Sequence, residues 1–471
     1  MPVGHRAAQG TWIAALGAVC ALAVLDIVVA YELGWIAAVV IPIAAIGAVG
    51  VWKAPTLGVC AGILAVPLEA VGLSLGGFAG ISVAEACFVG TAAVAAAHFV
   101  IEGGWRPLHG VHAAFAALLL TIALGYTIAE DQGTLSKILL MWSAFLLVSM
   151  LVAQSGPKDL QRVLLSLGAS AGVVGAVAVL GAGDQELVSG GAIATGRAQG
   201  TFDQPNLLGF FLALTIPVAI VMASRGPWLQ KTAMLGTAGV ASAGLALTLS
   251  RTSIVGMLLA LLVLMSWRPI RRLAVVGLAA MTVFALFNAG ALLKSDQLQV
   301  VGKRLGTLSS QSIKDDEGRY ELYTQTPEII LDHPFVGVGE GNFSVAAAGY
   351  RILDPDGLPF DHAHNVPLTI AAETGLVGLA ALTAFAALLV GAARQALRQR
   401  TAPLWPLALA SVAALCATTV TSIGDYPPRS NVIMATIMVH VGVIVACARS
   451  AAALEPQGSR DPTPPQPWPL R

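Results

Sequence analysis

The feature that most limits this chain is a recurring length. Mainly apolar runs of about 18 or more residues, the span that crosses a bilayer as a helix, return along almost the whole sequence. They centre near Val19, Ile43, Leu64, Val94, Leu120, Leu146, Val173, Leu214, Gly239, Leu261, Val275, Leu382, Leu409 and Ile437. This pattern predicts an all-α polytopic membrane protein with about 12–14 transmembrane helices. The third and fourth runs are interrupted by Pro67, Glu69 and Glu85. Composition agrees: 56% of the residues are hydrophobic and 11% charged, where a soluble chain carries about a quarter charged. The first run, Thr11 to Ala30, is too long for a typical cleaved signal and reads as a retained anchor.

Location matters more than net charge, which is zero and points to no nucleic-acid partner. With Arg6 on the cytoplasmic side and spans alternating, the inner loops carry Lys53; Arg106; Lys158 and Arg162; Arg225 and Lys231; Arg268, Arg271 and Arg272; and Arg394, Arg398 and Arg400. The outer loops then carry only Lys137, Arg197, Arg251 and Arg429 outside one long segment. That asymmetry is the positive-inside pattern. The long segment, 291–363, is polar and falls outside; loops of about 70 residues are uncommon and usually functional. Its stretch "GRYELYTQTPEIILDHP" has helical spacing and predicts one or two short amphipathic helices, one ending near His333 and Pro334. The chain thus divides into N-terminal spans (residues 1–190), a membrane core with the outer loop (191–448), and a Pro-rich cytoplasmic tail (449–471). All five cysteines lie in apolar runs, so neither a disulfide framework nor a cysteine metal site is expected.

Several polar residues collect on the expected outer face. Arg251, in "TLSRTS", occupies a tight turn with apolar sequence on both sides. A cation held at that depth wants an anion, and a planar guanidinium suits a phosphate because it donates two hydrogen bonds at once. Arg197, Arg319 and Arg429 share that side, and for each of the four arginines snorkelling or ordinary loop charge is the competing explanation. His5, His98, His109, His112 and His440 fall in spans or at inner ends and read as structural or solvated.

"DHAHNVPLTIAAETGLVG", Asp361 to Gly378, is the densest polar cluster. Pro367 favours a first helical turn, so the twelfth span should start near Val366 with His364 and Asn365 at its N-terminus. A helix N-terminus attracts anions and disfavours imidazolium, and a neutral imidazole accepts a proton. A metal is the rival for this segment, since H-x-H-N with Asp361 offers ligands. An extended H-x-H, however, shows no clear third and fourth protein ligand, and neither metal nor cofactor is expected. "GVGEGNF", Gly337 to Phe343, should let backbone approach a partner closely; Gly375 and Gly378 should allow tight packing. No Walker A, GxGxxG or zinc signature is present. Anion clamps with one general base fit transfer from a phosphate-linked donor. Outside the cytoplasm, where nucleotide sugars are absent, that donor would be lipid-linked.

The segments "RAQGTFDQPNLLGFFLAL", "TLSRTS", "HPFVGVGEGNF", "DHAHNVPLTIAAETGLVG" and "GDYPPRSNV" together resemble the O-antigen ligase / O-antigen polymerase superfamily. The resemblance runs from about Arg197 to Val441. It implies a GT-C-like, metal-independent glycosyltransferase in the bacterial inner membrane, working at the periplasmic face on a glycan carried by undecaprenyl pyrophosphate. The family's histidine falls on His364, its span-turn arginine on Arg251 and its loop arginine on Arg319; these are the expected catalytic residues. Arg197, Asn206, His362, Asn365, Glu373, Asp425 and Arg429 are the expected substrate-binding residues. Asp361, Glu373 or Asp425 could orient His364 or replace it as base. The expected partners are the lipid-linked donor, a glycan or lipid A-core acceptor, and membrane lipids. A polymerase, a protein O-oligosaccharyltransferase and, outside the class, a transporter remain open; a transporter would place charges at the bilayer midplane, where Asp26 is the main one here.

Overall fold

A computed structural model describes residues 47–69, 72–75, 78–103, 106–181, 197–272, 319–354 and 357–454. Its helices include α1 (Pro55–Ala65), α2 (Val83–Glu102), α3 (Gly110–Leu124), α4 (Gln132–Val152), α5 (Pro157–Leu180), α6 (Pro205–Ala223), α7 (Trp228–Leu247), α8 (Arg251–Leu264), α9 (Arg319–Asp332), α10 (Phe343–Gly349), α11 (Val366–Arg398), α12 (Trp405–Gly424) and α13 (Asn431–Leu454). Among the described residues, eight helices are long and apolar enough to cross a membrane, and two shorter apolar ones cover Pro55–Leu68 and Arg251–Leu264. This is an all-α polytopic membrane protein. The expected spans near Val19, Ile43 and Val275, and the loop segment 291–318, lie outside the described residues; the other expected span centres each fall in a described helix.

The interrupted third and fourth runs have a structural explanation. The third ends in a short 3-10 turn at Val66–Leu68. A two-stranded antiparallel hairpin follows, β1 (Gly72–Leu75) and β2 (Phe78–Ser82), a departure from helix that the apolar pattern did not foresee. Glu85 interrupts no helix, because it begins one. Ser82 and Glu85 form a reciprocal capping box at the start of α2, which satisfies two otherwise unpaired helix-end donors. Asn431, at the start of α13, donates to the other oxygen of Glu85.

Two helices form the centre: α6 and α13 each have 89% of their most apolar window buried, against 17% for α11 on the periphery. Lipid gives helices little hydrophobic reason to associate, so close backbone approach and interhelical hydrogen bonds hold the bundle. A side chain at Gly175 of α5 would meet the Ala241 backbone of α7, and one at Gly256 of α8 would meet the Ala417 carbonyl of α12. Buried histidines bridge neighbouring helices: His112 to Ser149 at 3.1 Å and His440 to Ser411 at 3.1 Å, both structural.

At one end of the bundle, helix α11 is broken. It begins at Val366, where Pro367 stands at the first turn and Asn365 caps it. At Gly375 the backbone turns left-handed (φ 69°). The carbonyls exposed by that break are taken up by the segment between α9 and α10: Val338 N–H donates to Ala372 O and Gly339 N–H to Glu373 O, while Leu376 N–H donates to Pro334 O. A Cβ on Gly337 or Gly375 would overlap the opposing backbone at Glu373 or Phe335. Gly337 and Gly375 thus serve a mutual close approach, and these three bonds pair backbone groups at the break within protein.

Candidate active site

The broken helix carries the polar cluster. His364 has a left-handed backbone (φ 47°), so the H-x-H segment is not extended as its sequence suggested. Three bonds pin this bend: Ala363 N–H to Thr369 Oγ1 at 3.1 Å, Tyr323 Oη–H to His364 O at 3.0 Å, and Leu368 N–H to Asn365 Oδ1 at 3.0 Å. Asn365 also donates to Ile423 O at the end of α12.

Both histidine rings converge on Asp425, just past the end of α12. Asp425 Oδ1 lies 3.0 Å from His364 Nδ1, 3.3 Å from His362 Nε2 and 2.8 Å from its donor Tyr426 N. Asp425 Oδ2 accepts from Asn206 Nδ2 at 3.0 Å. A carboxylate surrounded by four donors is satisfied as an anion. Burial alone would raise its pKa, but the hydrogen bonds from His362 and His364 overcome this and hold it well below the usual range. The ring tautomers follow from geometry: an ionised oxygen only accepts, so His364 presents Nδ1–H and His362 Nε2–H. That leaves the Nε2 lone pair of His364 without a partner among the described residues, on a side chain 20% exposed. His362 is 3% exposed, and its pKa is lowered to about 4, first by burial, with the Asp425 hydrogen bond opposing. It is neutral at physiological pH. The two rings lie 4.3 Å apart.

Two arginines lie behind this carboxylate's partners, and two more stand at nearby helix ends. Arg197 donates Nη2 to Asn206 Oδ1 at 2.6 Å and Nε to Thr248 O at 2.8 Å; it reaches Asp425 through Asn206. Arg429 donates to Gln204 Oε1 at 3.3 Å, and its charge acts on His362. Arg251 is the first residue of α8, and its neighbour Thr252 packs against Gly424, next to Asp425. Arg319 is the first residue of α9, one turn before the Tyr323 that holds the His364 carbonyl. The structure therefore gathers the Asp425–histidine cluster, Asn206 and Arg197 through direct bonds, and brings the helix ends of Arg251 and Arg319 to it.

Glu373 occupies a different position. It is 2% exposed, and its Oε1 accepts the Gly341 and Phe343 N–H groups at 3.0 Å each. Its observed contacts hold the inserted segment. Beside it lies Glu340, 1% exposed, a residue that sequence reasoning missed. Burial raises Glu340 to about 7, against the hydrogen bond from Tyr426. Tyr426 Oη–H donates to Glu340 Oε1 at 2.8 Å, and the Tyr426 ring lies 5.5 Å from that of His362. Tyr426 thus ties the inserted segment to the histidine cluster. Its place beside Asp425 in "GDYPPRS" was the signal for it.

The metal question also changes. His362, His364 and Asp425 offer ligand atoms that all lie within 4.8 Å of one another, so a third ligand exists that H-x-H-N alone did not reveal. Yet both ring nitrogens facing Asp425 carry hydrogens in the bonded arrangement, and a metal would have to displace them.

Residues 236–383 match the sequence model of the O-antigen ligase family. That stretch of the chain is similar to the O-antigen ligase family. No curated protein matches the sequence. The family implies ligase- or polymerase-type chemistry by a glycosyltransferase-like enzyme, with glycan and lipid-linked substrates. The matched region contains Arg251, Arg319, His362, His364, Asn365 and Glu373. Arg197, Asn206, Asp425 and Arg429 stand outside it, and of these Asp425 joins the ligase-family histidines directly.

Proposed function

We propose that this chain moves a glycan from undecaprenyl pyrophosphate to a lipid A-core hydroxyl at the periplasmic face of the bacterial inner membrane, by a single inverting displacement within a GT-C-like core. The observation that carries this reading is the His364–Asp425 pair with an open Nε2. As the acceptor oxygen bonds to the anomeric carbon, its proton passes to His364 Nε2. The bond from that carbon to the pyrophosphate oxygen breaks, and its electron pair leaves with the phosphate. Asp425 keeps Nδ1–H in place and stabilises the imidazolium that forms, as an orienting carboxylate does for other histidine bases. Negative charge on the leaving pyrophosphate would be met by Arg251 and Arg319, with Arg197 and Arg429 nearby. The site lies at a helix mouth, which suits a donor whose lipid tail stays in the bilayer while its pyrophosphate reaches the headgroup level.

The domains we assign are residues 1–190, the transferase core at 191–448, and the tail at 449–471. Metal-independence belongs to the proposal. The test is a deletion strain complemented with wild type or His364→Ala, followed by gels of lipopolysaccharide and a capsule assay. Loss of polymer-bearing lipopolysaccharide, with free lipid-linked polymer accumulating, is expected. Accumulation of single repeats would instead identify a polymerase, and loss of protein glycosylation an oligosaccharyltransferase. Activity that falls on chelation and returns with added metal would replace the base by a metal centre.

A further inference from the structure

The bundle has a second polar feature at its opposite end. The turn after α8 and the turn before α12 enclose a cleft of about 390 Å³, lined by Ser266, Trp267, Arg268, Pro269, Arg400 and Trp405. Trp267 and Trp405 meet edge to face, with ring centroids 6.1 Å apart. Trp405 is buried, and its indole N–H is already spent on Leu397 O at 3.1 Å. Trp405 therefore contributes a wall, and the charged donors come from the arginines. Arg268 and Arg400 are exposed, and neither has a carboxylate partner among the described residues. Two guanidinium groups lining one cleft repel each other unless an anion sits between them. Exposed Arg271 and Arg272 follow directly.

We infer that this cleft binds the phosphate headgroup of an anionic phospholipid. A phosphate accepts paired hydrogen bonds from guanidinium groups, and basic pockets between transmembrane helices are typical headgroup sites. Tryptophans settle at headgroup depth, which places the cleft where a lipid arrives from the membrane plane with its chains along the helices. A soluble phosphate compound offers the same anion without those chains. The lipid is favoured because the cleft opens at the ends of membrane-spanning helices.

The test uses the full-length protein in nanodiscs of zwitterionic phosphatidylethanolamine, titrated with cardiolipin and read by native mass spectrometry. Wild type should retain cardiolipin selectively, and R268A/R400A should bind it about 30-fold more weakly, the factor expected for two surface arginines. Equal retention by both proteins, or no preference over phosphatidylethanolamine, would overturn the inference. So would displacement of cardiolipin by inorganic phosphate, which would make the cleft a soluble-anion site. Should the double variant fail to fold, wild type alone decides: raising salt from about 50 to about 500 mM should weaken cardiolipin binding several-fold, and constant binding would refute a charge-held headgroup. None of these readouts depends on the transferase reaction.

Discussion

The two ends of this helix bundle handle charge in opposite ways. At the His364 end, Asp425, His362, Glu340 and Glu373 are each at most 4% exposed, and hydrogen bonds join them into one network. At the Arg400 end the charged groups face outward, as with Arg162, which pairs with Asp159 at 60% and 36% side-chain exposure. Buried polar groups must be satisfied or they cost free energy, so the first end is fixed in geometry. Solvated charges are screened and contribute little to stability, so the fold at the second end tolerates their loss. A site that must aim one lone pair at a reacting atom belongs at the first.

The largest expected effect is on the aimed lone pair. His364→Ala and Asp425→Asn should each lower glycan transfer about 10²–10⁴-fold at normal membrane levels, measured in membranes from the complemented deletion strain. His362→Ala should cost less. A fully active Asp425→Asn would show that His364 needs no carboxylate to orient it. Next comes the backbone insertion. Gly375→Ala places a side chain where the Phe335 backbone already lies, at a left-handed φ. It should destabilise by about 3 kcal/mol or more, read as loss of monodisperse protein on size-exclusion chromatography; near-normal yield would mean the break in α11 can rearrange.

Tyr426→Phe removes the donor to Glu340 and should cost about 1–3 kcal/mol, seen as a lower unfolding temperature in nanodiscs. Glu340→Gln gives a smaller effect with a diagnostic sign. Glu340 is raised from 4.5 to about 7, so the folded state holds more protons than the unfolded across that window, and stability falls as pH rises through it. His362 is lowered from 6.5 to about 4, so it binds fewer protons when folded, and stability rises with pH there. The two oppose each other in wild type between 4.5 and 6.5. Relative to wild type, Glu340→Gln should gain unfolding temperature as pH rises from 4.5 to about 7; a constant difference between the two would mean that Glu340 does not titrate there. At the tolerant end, Arg162→Ala should leave the unfolding temperature unchanged, since exposed ion pairs contribute little.

The apolar periodicity made most of the membrane architecture legible, because each span satisfies its own backbone and must be long enough to cross. It could not foresee the hairpin at 72–82, where the chain between two spans pairs with itself. Pro367 and Asn365 located the start of α11, since helix capping is local. The H-x-H segment misled, because the left-handed turn at His364 depends on Tyr323 and Thr369, which lie outside that segment.

The sequence by itself determined which residues were polar at the membrane mouth and that one histidine stood at a helix start, because those signals reside in composition and in neighbours a few positions apart. Only the tertiary structure decided that Asp425 serves both histidines, that Glu373 fastens a loop backbone, and that Glu340 and Tyr426 join the two. Those bonds connect residues 30 to 86 positions apart. A carboxylate's role depends on which donors surround it once the helices have packed, and no local pattern along the chain encodes that.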